Sequence, residues 1–276
     1  MNAGYPKAAV LGWPVKHSLS PRLHGYWLHR YGIGGSYESL AVEPAELEKT
    51  LRHLPQAGFR GVNLTIPHKE KALAFMQAVD TPAQRIGAVN MVVVGEDGRL
   101  EGRNTDAYGF SQSLQEAGVS VRGGAAAVIG AGGAARAAIV ALQDMGVSEI
   151  RLVNRTRERA EELKAALGGS LPVFDWAARE DALKDAGLLV NATSLGMQGQ
   201  PPLDLALDNL PQTAPVTDIV YRPLETDLLR RAKQHGHPTV DGLGMLLHQA
   251  RPAFAAFFGR DPDVTGDLRR HLLEAP

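Results

Sequence analysis

The chain has 276 residues, of which 44% are hydrophobic and 21% are charged, as is usual for a globular protein. Its formal net charge of -1 gives no general attraction to nucleic acid or to anionic lipid. The absence of cysteine excludes disulfides, thiolate metal sites and cysteine nucleophiles, and we predict no metal site. No stretch resembles a signal peptide or approaches the roughly 20 apolar residues of a membrane span, so we expect a cytoplasmic protein of one or two domains.

A short apolar run over residues 8–12 predicts the first strand, and a polar loop with prolines follows it. Ser20 precedes Pro21, a pair typical of a helix start, so we predict that the Ser20 hydroxyl caps a helix that ends at Gly32. Ser18 and Ser20 would then lie at a helix N-terminus, which favours a bound anion. This loop predicts a carboxylate or phosphate site, and plain helix capping is the alternative.

The segment GVNLTIPHK, residues 61–69, begins with a predicted strand. Because side chains alternate faces along a strand, its apolar residues should point into a core. These residues are Val62, Leu64 and Ile66. The polar residues between them, Asn63 and Thr65, should share the opposite face.

Beyond this strand, Pro67 lacks the N–H group that would continue the ladder. We predict a helix that begins near His68 and continues through Leu73, Met76 and Val79. Lys69 would then lie just past the end of the strand, close to the two polar side chains. Such a group of two neutral polar side chains and one cation suits a polyhydroxylated substrate, and an edge strand with a surface lysine is the alternative.

Other elements of the first part of the chain are predicted from spacing and turn residues. A helix is predicted over residues 44–54, with one apolar stripe formed by Leu47, Leu51 and Leu54. A strand over residues 87–94 contains a single polar residue, Asn90, and Asp97-Gly98 predicts a hairpin turn into a return strand. The next helix begins near Asp106, for which a simple N-cap role is the alternative to a functional one.

From residue 125 the pattern changes to alternating strands and helices, which is typical of a parallel sheet. The apolar strand 125–129 is followed by Gly130-Ala131-Gly132-Gly133-Ala134-Ala135, a G-x-G-x-x-A motif that opens a helix. Its glycines allow a tight turn and let the backbone approach a pyrophosphate. Because a second strand over 149–153 follows at the expected distance, we predict a dinucleotide-binding site.

The residues after this second strand indicate which dinucleotide binds. An acidic residue there would bind the ribose hydroxyls of NAD, whereas this chain has Asn154-Arg155-Thr156-Arg157-Glu158-Arg159. Arg155 and Arg159 would share a face if the helix has begun, and guanidinium groups suit a phosphate. We therefore predict NADP; the alternative is a solvated basic helix start paired with Glu158, Glu161 and Glu162.

Further strands are predicted over residues 172–174, 187–191, 216–221 and 238–240, with helices between them. Ligands of such sheets collect at the carboxyl ends of the strands. A last long helix follows Gly242, and on it Gln249 either faces a cleft or is simply solvated.

Several of these stretches together resemble the shikimate dehydrogenase family, NADP-dependent enzymes of aromatic amino-acid biosynthesis. The resemblance covers nearly the whole chain, although Gly25 and Met91 replace residues that are usually asparagine and threonine in the family. The motifs that carry it are SLSP at 18–21, NLTIPHK at 63–69, GAVN at 87–90, NTD at 104–106, the glycine loop, NRT at 154–156, NATS at 191–194, YRP at 221–223 and DGLGMLLHQ at 241–249.

The resemblance implies an α/β protein with a discontinuous α/β substrate domain and a Rossmann-type, doubly wound NADP-binding domain. The implied bounds are 1–105 for the substrate-binding and catalytic domain, 106–241 for the NADP-binding domain, and 242–276 for C-terminal helices that return to the substrate domain. The implied reaction is the reversible reduction of 3-dehydroshikimate to shikimate by NADPH. The expected partner is a small-molecule substrate, without nucleic acid or membrane, and a homodimer is left open.

The resemblance also implies a role for each matching residue. Lys69 would be the catalytic proton shuttle, paired with Asp106. The substrate carboxylate would be held by Ser18 and Ser20, with help from Tyr221. The ring hydroxyls would be bound by Thr65, Asn90, Asp106 and Gln249, and Asn63 would line the same pocket.

For the cofactor, the resemblance implies a second group of residues. The pyrophosphate would be held by Gly130, Ala131, Gly132, Gly133 and Ala134. The adenosine 2′-phosphate side would be held by Asn154, Arg155, Thr156 and Arg159. Ile219 and Gly242 would lie near the nicotinamide.

Two rival functions remain open from the sequence. One is a quinate/shikimate dehydrogenase that uses NAD or either cofactor, against which the arginines after the second strand argue. The other is a non-catalytic NADP-sensing regulator, which the presence of both Lys69 and Asp106 disfavours.

Overall fold

The structure is a computed structural model that describes residues 5–274. Residues 1–4 and 275–276, which belong to the first and last predicted domain segments, lie outside the described residues. The chain forms two compact units, Met1–Thr105 with Leu247–Pro276 and Asp106–Leu246. Within residues 5–274, no helix combines the length and the apolar character needed to cross a lipid bilayer.

The first unit contains a mixed six-stranded sheet with the order β2-β1-β3-β5-β6-β4. Its strands are β1 (Lys7–Gly12), β2 (Ser36–Ala41), β3 (Phe59–Leu64), β4 (Ala78–Val79), β5 (Met91–Val94) and β6 (Leu100–Arg103). β1 is parallel to β2 and β3, whereas β5 runs antiparallel to β3 and to β6. The predicted hairpin between β5 and β6 is therefore confirmed.

The second unit contains a fully parallel sheet with the order β12-β11-β10-β7-β8-β9. Its strands are β7 (Ala125–Ile129), β8 (Glu149–Val153), β9 (Val173–Phe174), β10 (Ala186–Asn191), β11 (Val216–Asp218) and β12 (Thr239–Val240). The strand order reverses between β7 and β10, as in the doubly wound Rossmann arrangement. The predicted α/β class with a Rossmann-type sheet is confirmed.

Helices cover the faces of both sheets. In the described part of the chain they are α1 (Ser20–Arg30), α2 (Leu47–His53), α3 (Thr81–Ile86), α4 (Asp106–Glu116), α5 (Gly133–Asp144), α6 (Arg157–Leu167), α7 (Asp227–Gln234), α8 (Gly242–Phe258) and α9 (Gly266–Leu273). The division between the two compact units falls within α8, after Leu246.

The central strands are buried on both faces, which explains their continuous apolar sequences. In β1, Ala8 and Val10 contribute to one core and Ala9 and Leu11 to the other. In β7, alternate residues likewise enter two cores, one of which contains the buried face of α5. Each unit thus has its own pair of hydrophobic layers around one sheet.

The segment after β3 differs from the sequence prediction. Val62 and Leu64 are buried as predicted, but Ile66 is 64% exposed. β3 ends at Leu64, so the alternation of faces does not extend to Ile66. The predicted core position of Ile66 is therefore wrong.

The predicted helix from His68 through Leu73, Met76 and Val79 is also wrong. A short 3-10 helix over Lys71–Phe75 is followed by strand β4, which contains Val79. β4 pairs in parallel with β6, so pairing at the edge of the sheet overrides the helical spacing of these apolar residues.

Other predicted elements keep their place but are shorter. The helix predicted over 44–54 begins only at Leu47, and its stripe of Leu47, Leu51 and Leu54 is buried as predicted. The strand predicted over 87–94 begins only at Met91, because Gly87 ends α3 in the left-handed conformation. The strand predicted over 216–221 ends at Asp218.

A pair of glycine substitutions tests the packing of the first sheet. Gly61 lies in β3, where a Cβ atom would stand 2.2 Å from Cε1 of Phe257 and 2.4 Å from the carbonyl oxygen of Val92. We expect Gly61→Ala to lower the free energy of unfolding by about 1–3 kcal/mol, because the neighbouring strand cannot move away without loss of its ladder. Urea denaturation measures this change.

Gly25→Ala is the matched control for that experiment. Gly25 is exposed within α1, and a Cβ there would meet nothing within 4 Å. Alanine at this helical position should raise the free energy of unfolding by about 0.5–1 kcal/mol. Equal stability of Gly61→Ala and the parent protein would contradict the packing described for β3.

Candidate functional site

The segment that carries Lys69 is fixed to the rest of the first unit on both sides. The N–H of Val89 donates to the carbonyl of Lys69 at 2.8 Å. The Nε2 of the adjacent His68 contacts the carbonyl of Val42 at 2.9 Å, and since a carbonyl can only accept, the imidazole carries its proton on Nε2. His68 is buried, and burial lowers the pKa of its imidazole, so the ring is neutral. Lys69 itself is half-buried.

Asn90 forms the centre of a buried hydrogen-bond network in the first unit. Its Oδ1 accepts from the backbone N–H of Thr105 at 2.8 Å, and its Nδ2 donates to Thr105 Oγ1 at 3.0 Å and to Gln249 Oε1 at 3.3 Å. Thr105 Oγ1 donates in turn to the carbonyl of Gln249 at 2.9 Å. Gln249 is therefore held by protein partners rather than simply solvated.

Asn63 extends this network toward β2. Its Nδ2 donates to the carbonyl of Asn90 at 3.2 Å, and its Oδ1 accepts from the hydroxyl of Tyr37 at 2.7 Å. The Ser20 side chain lies close to the same hydroxyl and lowers the pKa of Tyr37, against the effect of burial. The structure thus brings together Ser20, Asn63, Asn90 and Gln249, which the sequence analysis had assigned to one pocket.

Tyr37 is the member of this network that the sequence analysis missed. It lies in β2, which the sequence analysis did not assign as a strand. The local signal was weak, because Tyr37 is the one buried residue of β2 and buried and exposed positions do not alternate regularly along this strand.

The serine loop differs from its prediction in one respect. α1 begins at Ser20, no side chain caps it, and Ser20 is therefore not the predicted N-cap. Instead, Ser18 Oγ accepts from the N–H of Ser20 at 3.3 Å, which leaves the Ser18 hydroxyl hydrogen able to donate to an anion. α1 ends at Arg30, and Gly32 follows in the left-handed conformation with a φ of 62° and donates its N–H to the carbonyl of His29, as predicted for a residue that terminates the helix.

Asp106 lies at the start of α4 as predicted, whereas Thr65 lies just beyond β3 rather than within the predicted strand. Thr65 directly follows β3 and packs against Gly12, where a Cβ would be 2.4 Å from Thr65 Cγ2. Asp106 is the first residue of α4 and is only 3% exposed. The preceding Asn104 donates from Nδ2 to the carbonyl of Ala88 at 2.8 Å, so the motifs at 87–90 and 104–106 are tied together.

The glycine loop connects β7 to α5 in the second unit. Gly130 has a φ of 120°, and a Cβ there would be 2.7 Å from the carbonyl oxygen of Ala192, so glycine is required. At Gly132 a Cβ would meet nothing within 4 Å, and no side chain caps α5. The N–H groups of the first turn are therefore left for an anionic ligand, which fits a pyrophosphate. Ala131, Gly133 and Ala134 complete this loop.

The arginines after β8 are arranged differently from the prediction. α6 begins at Arg157, so Arg155 precedes the helix and the predicted helical face shared with Arg159 is not formed. Arg157 bonds to Asp175 at 2.6 Å and to Glu161 at 3.0 Å. Arg155 and Arg159 are exposed, and within residues 5–274 their guanidinium groups form neither a hydrogen bond nor an ion pair.

The turn before these arginines is shaped by Asn154, whose Nδ2 donates to the carbonyl of Thr156 at 2.8 Å. Of the basic groups here, only Arg157 matches the alternative in which acidic neighbours neutralise the helix start. The two remaining guanidinium groups fit a phosphate ligand.

A buried carboxylate joins the carboxyl ends of β10 and β11. Asp218 accepts from Asn191 Nδ2 at 3.0 Å, from Thr226 Oγ1 at 2.7 Å and from the N–H of Val220 at 3.0 Å. Burial raises the pKa of this carboxyl, and its hydrogen-bond donors oppose that shift. The sequence analysis did not identify Asp218, although a charged residue within an apolar strand was a signal for it.

Ile219 and Gly242 are also brought together in the second unit. A Cβ at Gly242 would be 2.3 Å from the carbonyl oxygen of Ile219, so glycine allows the start of α8 to approach this backbone. Tyr221, two residues further along, is half-buried in the same unit.

Three family models match consecutive parts of the chain. Residues 10–92 match the shikimate dehydrogenase substrate binding domain, 113–197 match shikimate / quinate 5-dehydrogenase, and 242–269 match the shikimate 5′-dehydrogenase C-terminal domain. A protein named shikimate dehydrogenase (NADP(+)) from Paramagnetospirillum magneticum is 58% identical over 96% of this chain and 97% of its own length. One of the same name from Rhodospirillum rubrum is 54% identical, with 98% and 97% of the two chains covered.

Solved structures give the same result. Shikimate 5-dehydrogenase from Thermus thermophilus, in complex with NADP(H) and shikimate, has a TM-score of 0.88 and 41% identity, with 97% of this chain and 98% of that chain covered. Quinate dehydrogenase from Corynebacterium glutamicum, in complex with NAD, has a TM-score of 0.89 and 31% identity, with 98% and 99% covered. The chain therefore belongs to the shikimate dehydrogenase family.

Proposed function

We propose that this chain catalyses the reversible reduction of 3-dehydroshikimate to shikimate by NADPH in aromatic amino-acid biosynthesis. The observation that carries the proposal is the 58% identity, over 96% of the chain, with a relative named shikimate dehydrogenase (NADP(+)). The experiment is turnover of shikimate with NADP, followed by the absorbance of the reduced nicotinamide. Absence of turnover by the folded protein would contradict the proposal.

On the substrate side, the hydroxyls of Ser18 and Ser20 bind the substrate carboxylate, with help from Tyr221. The ring hydroxyls are bound by Thr65, Asn90, Asp106 and Gln249, and Asn63 lines the same pocket. The buried network around Asn90 supports this assignment, because it holds several of these side chains in fixed orientations before a ligand arrives. Fixed donors and acceptors lower the cost of binding a polyhydroxylated ring.

On the cofactor side, the amides of the loop Gly130, Ala131, Gly132, Gly133 and Ala134 hold the pyrophosphate. The adenosine 2′-phosphate side is bound by Asn154, Arg155, Thr156 and Arg159. The exposed guanidinium groups of Arg155 and Arg159, where an NAD-binding protein would have an acidic residue, support NADP over NAD. Ile219 and Gly242 lie beside the nicotinamide.

NADPH, when bound, supplies the hydride that the ketone carbon of 3-dehydroshikimate accepts. Lys69 then donates a proton from Nζ to the ketone oxygen, where negative charge develops as the carbonyl is reduced. Asp106 is the second catalytic residue in this proposal. In the oxidative direction Lys69 accepts the hydroxyl proton instead. A cytoplasmic location and a homodimer are further parts of this proposal.

Replacement of Lys69 tests the proton transfer. We expect Lys69→Ala to lower kcat by about 10²- to 10⁴-fold while KM for shikimate changes far less, because the proton is needed in the transition state. Steady-state kinetics with shikimate and NADP measure both constants. Lys71→Ala, at an exposed lysine two positions away, is the matched control and should leave kcat unchanged. An unchanged kcat for Lys69→Ala would remove Lys69 from the chemistry.

Replacement of Arg155 tests the choice of cofactor. We expect Arg155→Ala to raise KM for NADP about 10- to 100-fold and to leave KM for NAD nearly unchanged, because only NADP carries the 2′-phosphate. Arg157→Ala is the matched control, since Arg157 is engaged with Asp175 and Glu161. Equal changes for the two cofactors, or a larger effect in the control, would contradict this assignment.

A second candidate function is the oxidation of quinate with NAD, because the quinate dehydrogenase from Corynebacterium glutamicum is 31% identical to this chain. Kinetics of the parent protein distinguish the two functions directly. We expect kcat/KM to be higher for shikimate than for quinate. We also expect it to be higher with NADP than with NAD, because Arg155 and Arg159 have no 2′-phosphate to bind in NAD.

A further inference from the structure

We propose that Tyr37 is a positioning residue that, together with the carbonyl of Asn90, holds the Asn63 amide so that Asn63 offers the substrate an N–H group rather than an oxygen. The proposal rests on the proposed function, because it concerns the pocket to which Asn63 is assigned. Tyr37 itself does not need to touch the substrate.

The orientation of the Asn63 amide follows from its two partners. One end of the amide faces the carbonyl of Asn90 at 3.2 Å, and a carbonyl can only accept, so this end is Nδ2. The other end is Oδ1, which lies 2.7 Å from the Tyr37 hydroxyl, and the hydroxyl must therefore donate to it. These are the hydrogen bonds of the Asn63 side chain within the described residues. One Nδ2 hydrogen remains for a ligand.

Tyr37 is itself held in place by aromatic packing. The imidazole of His24 stacks on the Tyr37 ring with the centroids 3.9 Å apart and the planes at 2°. The same imidazole packs against Trp27, edge-on, and against Phe254, each with a ring centroid 5.8 Å away. The hydroxyl of Tyr37 therefore has little freedom to leave Asn63.

The protonation states of His24 and Tyr37 agree with a neutral Tyr37 hydroxyl that donates to Asn63. Burial lowers the pKa of His24 to about 3, so the stacked imidazole is uncharged near neutral pH. Burial raises the pKa of Tyr37, and the Ser20 side chain opposes this shift. Tyr37 thus keeps its proton, and its hydroxyl donates a hydrogen bond to Asn63 Oδ1.

The variant Tyr37→Phe tests this role, since it keeps the ring and its stacking on His24 and removes only the donor. We expect KM for shikimate to rise about 3- to 10-fold, with KM for NADP unchanged, because the Asn63 amide loses the partner of its Oδ1. Tyr31→Phe is the matched control: its hydroxyl makes one bond, from the N–H of Asp263 at 3.0 Å, outside this network. The control should leave KM for shikimate unchanged.

A double-mutant cycle gives a readout that a purely structural role would not move. In an Asn63→Ala background, Tyr37→Phe should cause no further rise in KM for shikimate, because there is no amide left to orient. An additive rise in that background, or an equal rise of KM for NADP, would overturn the proposal. An unchanged KM in Tyr37→Phe would do the same, whereas failure of the parent protein to oxidise shikimate would overturn the proposed function instead.

Discussion

The buried amide of Asn90 joins parts of the first unit that are far apart in sequence. Its side chain and carbonyl bond to Thr105 at the end of the hairpin, to Gln249 on α8 and to Asn63 on β3. A buried amide without partners costs a few kcal/mol, about 1–3 for each unsatisfied group, so these segments hold one another in register. The polar side chains proposed to bind the substrate owe their fixed positions to this constraint.

A different constraint shapes the second unit, where the reversal of strand order between β7 and β10 leaves open the carboxyl edge of the sheet. Asp218 and Asn191 tie two neighbouring strand ends at this edge, and the glycine loop occupies a third. The basic groups that follow β8 are divided by their partners. Arg157 is neutralised by acids, and the flanking arginines keep their charge available for a phosphate.

The sequence was sufficient for features that depend on local pattern. The bounds of β7 and β8 agree with the prediction, because continuous apolar runs bounded by glycine or polar residues mark buried parallel strands. The family and the α/β class are confirmed as well, whereas the roles of individual site residues stay predictions.

Features that depend on contacts between distant segments could not be predicted from the local pattern of the sequence. Val79 joined a strand rather than a helix because β6 was available for pairing. Tyr37 and Asp218 matter through partners 26 and 27 positions away in the chain, such as Asn63 and Asn191. No periodicity within one segment reports such a contact. A charged residue in an apolar strand marks Asp218, but its partners and the role of Tyr37 become visible only once the strands are paired.

The division of α8 between the two compact units bears on how the protein is made. Ala253 and Phe257 fill the same hydrophobic layer as Ala8 and Val10, so that layer needs both ends of the chain. A ribosome delivers all of Asp106–Leu246 before it delivers these two side chains. The middle unit can therefore mature during translation, while one hydrophobic layer of the earliest-made sheet lacks its α8 side chains until the segment after Leu246 has been made.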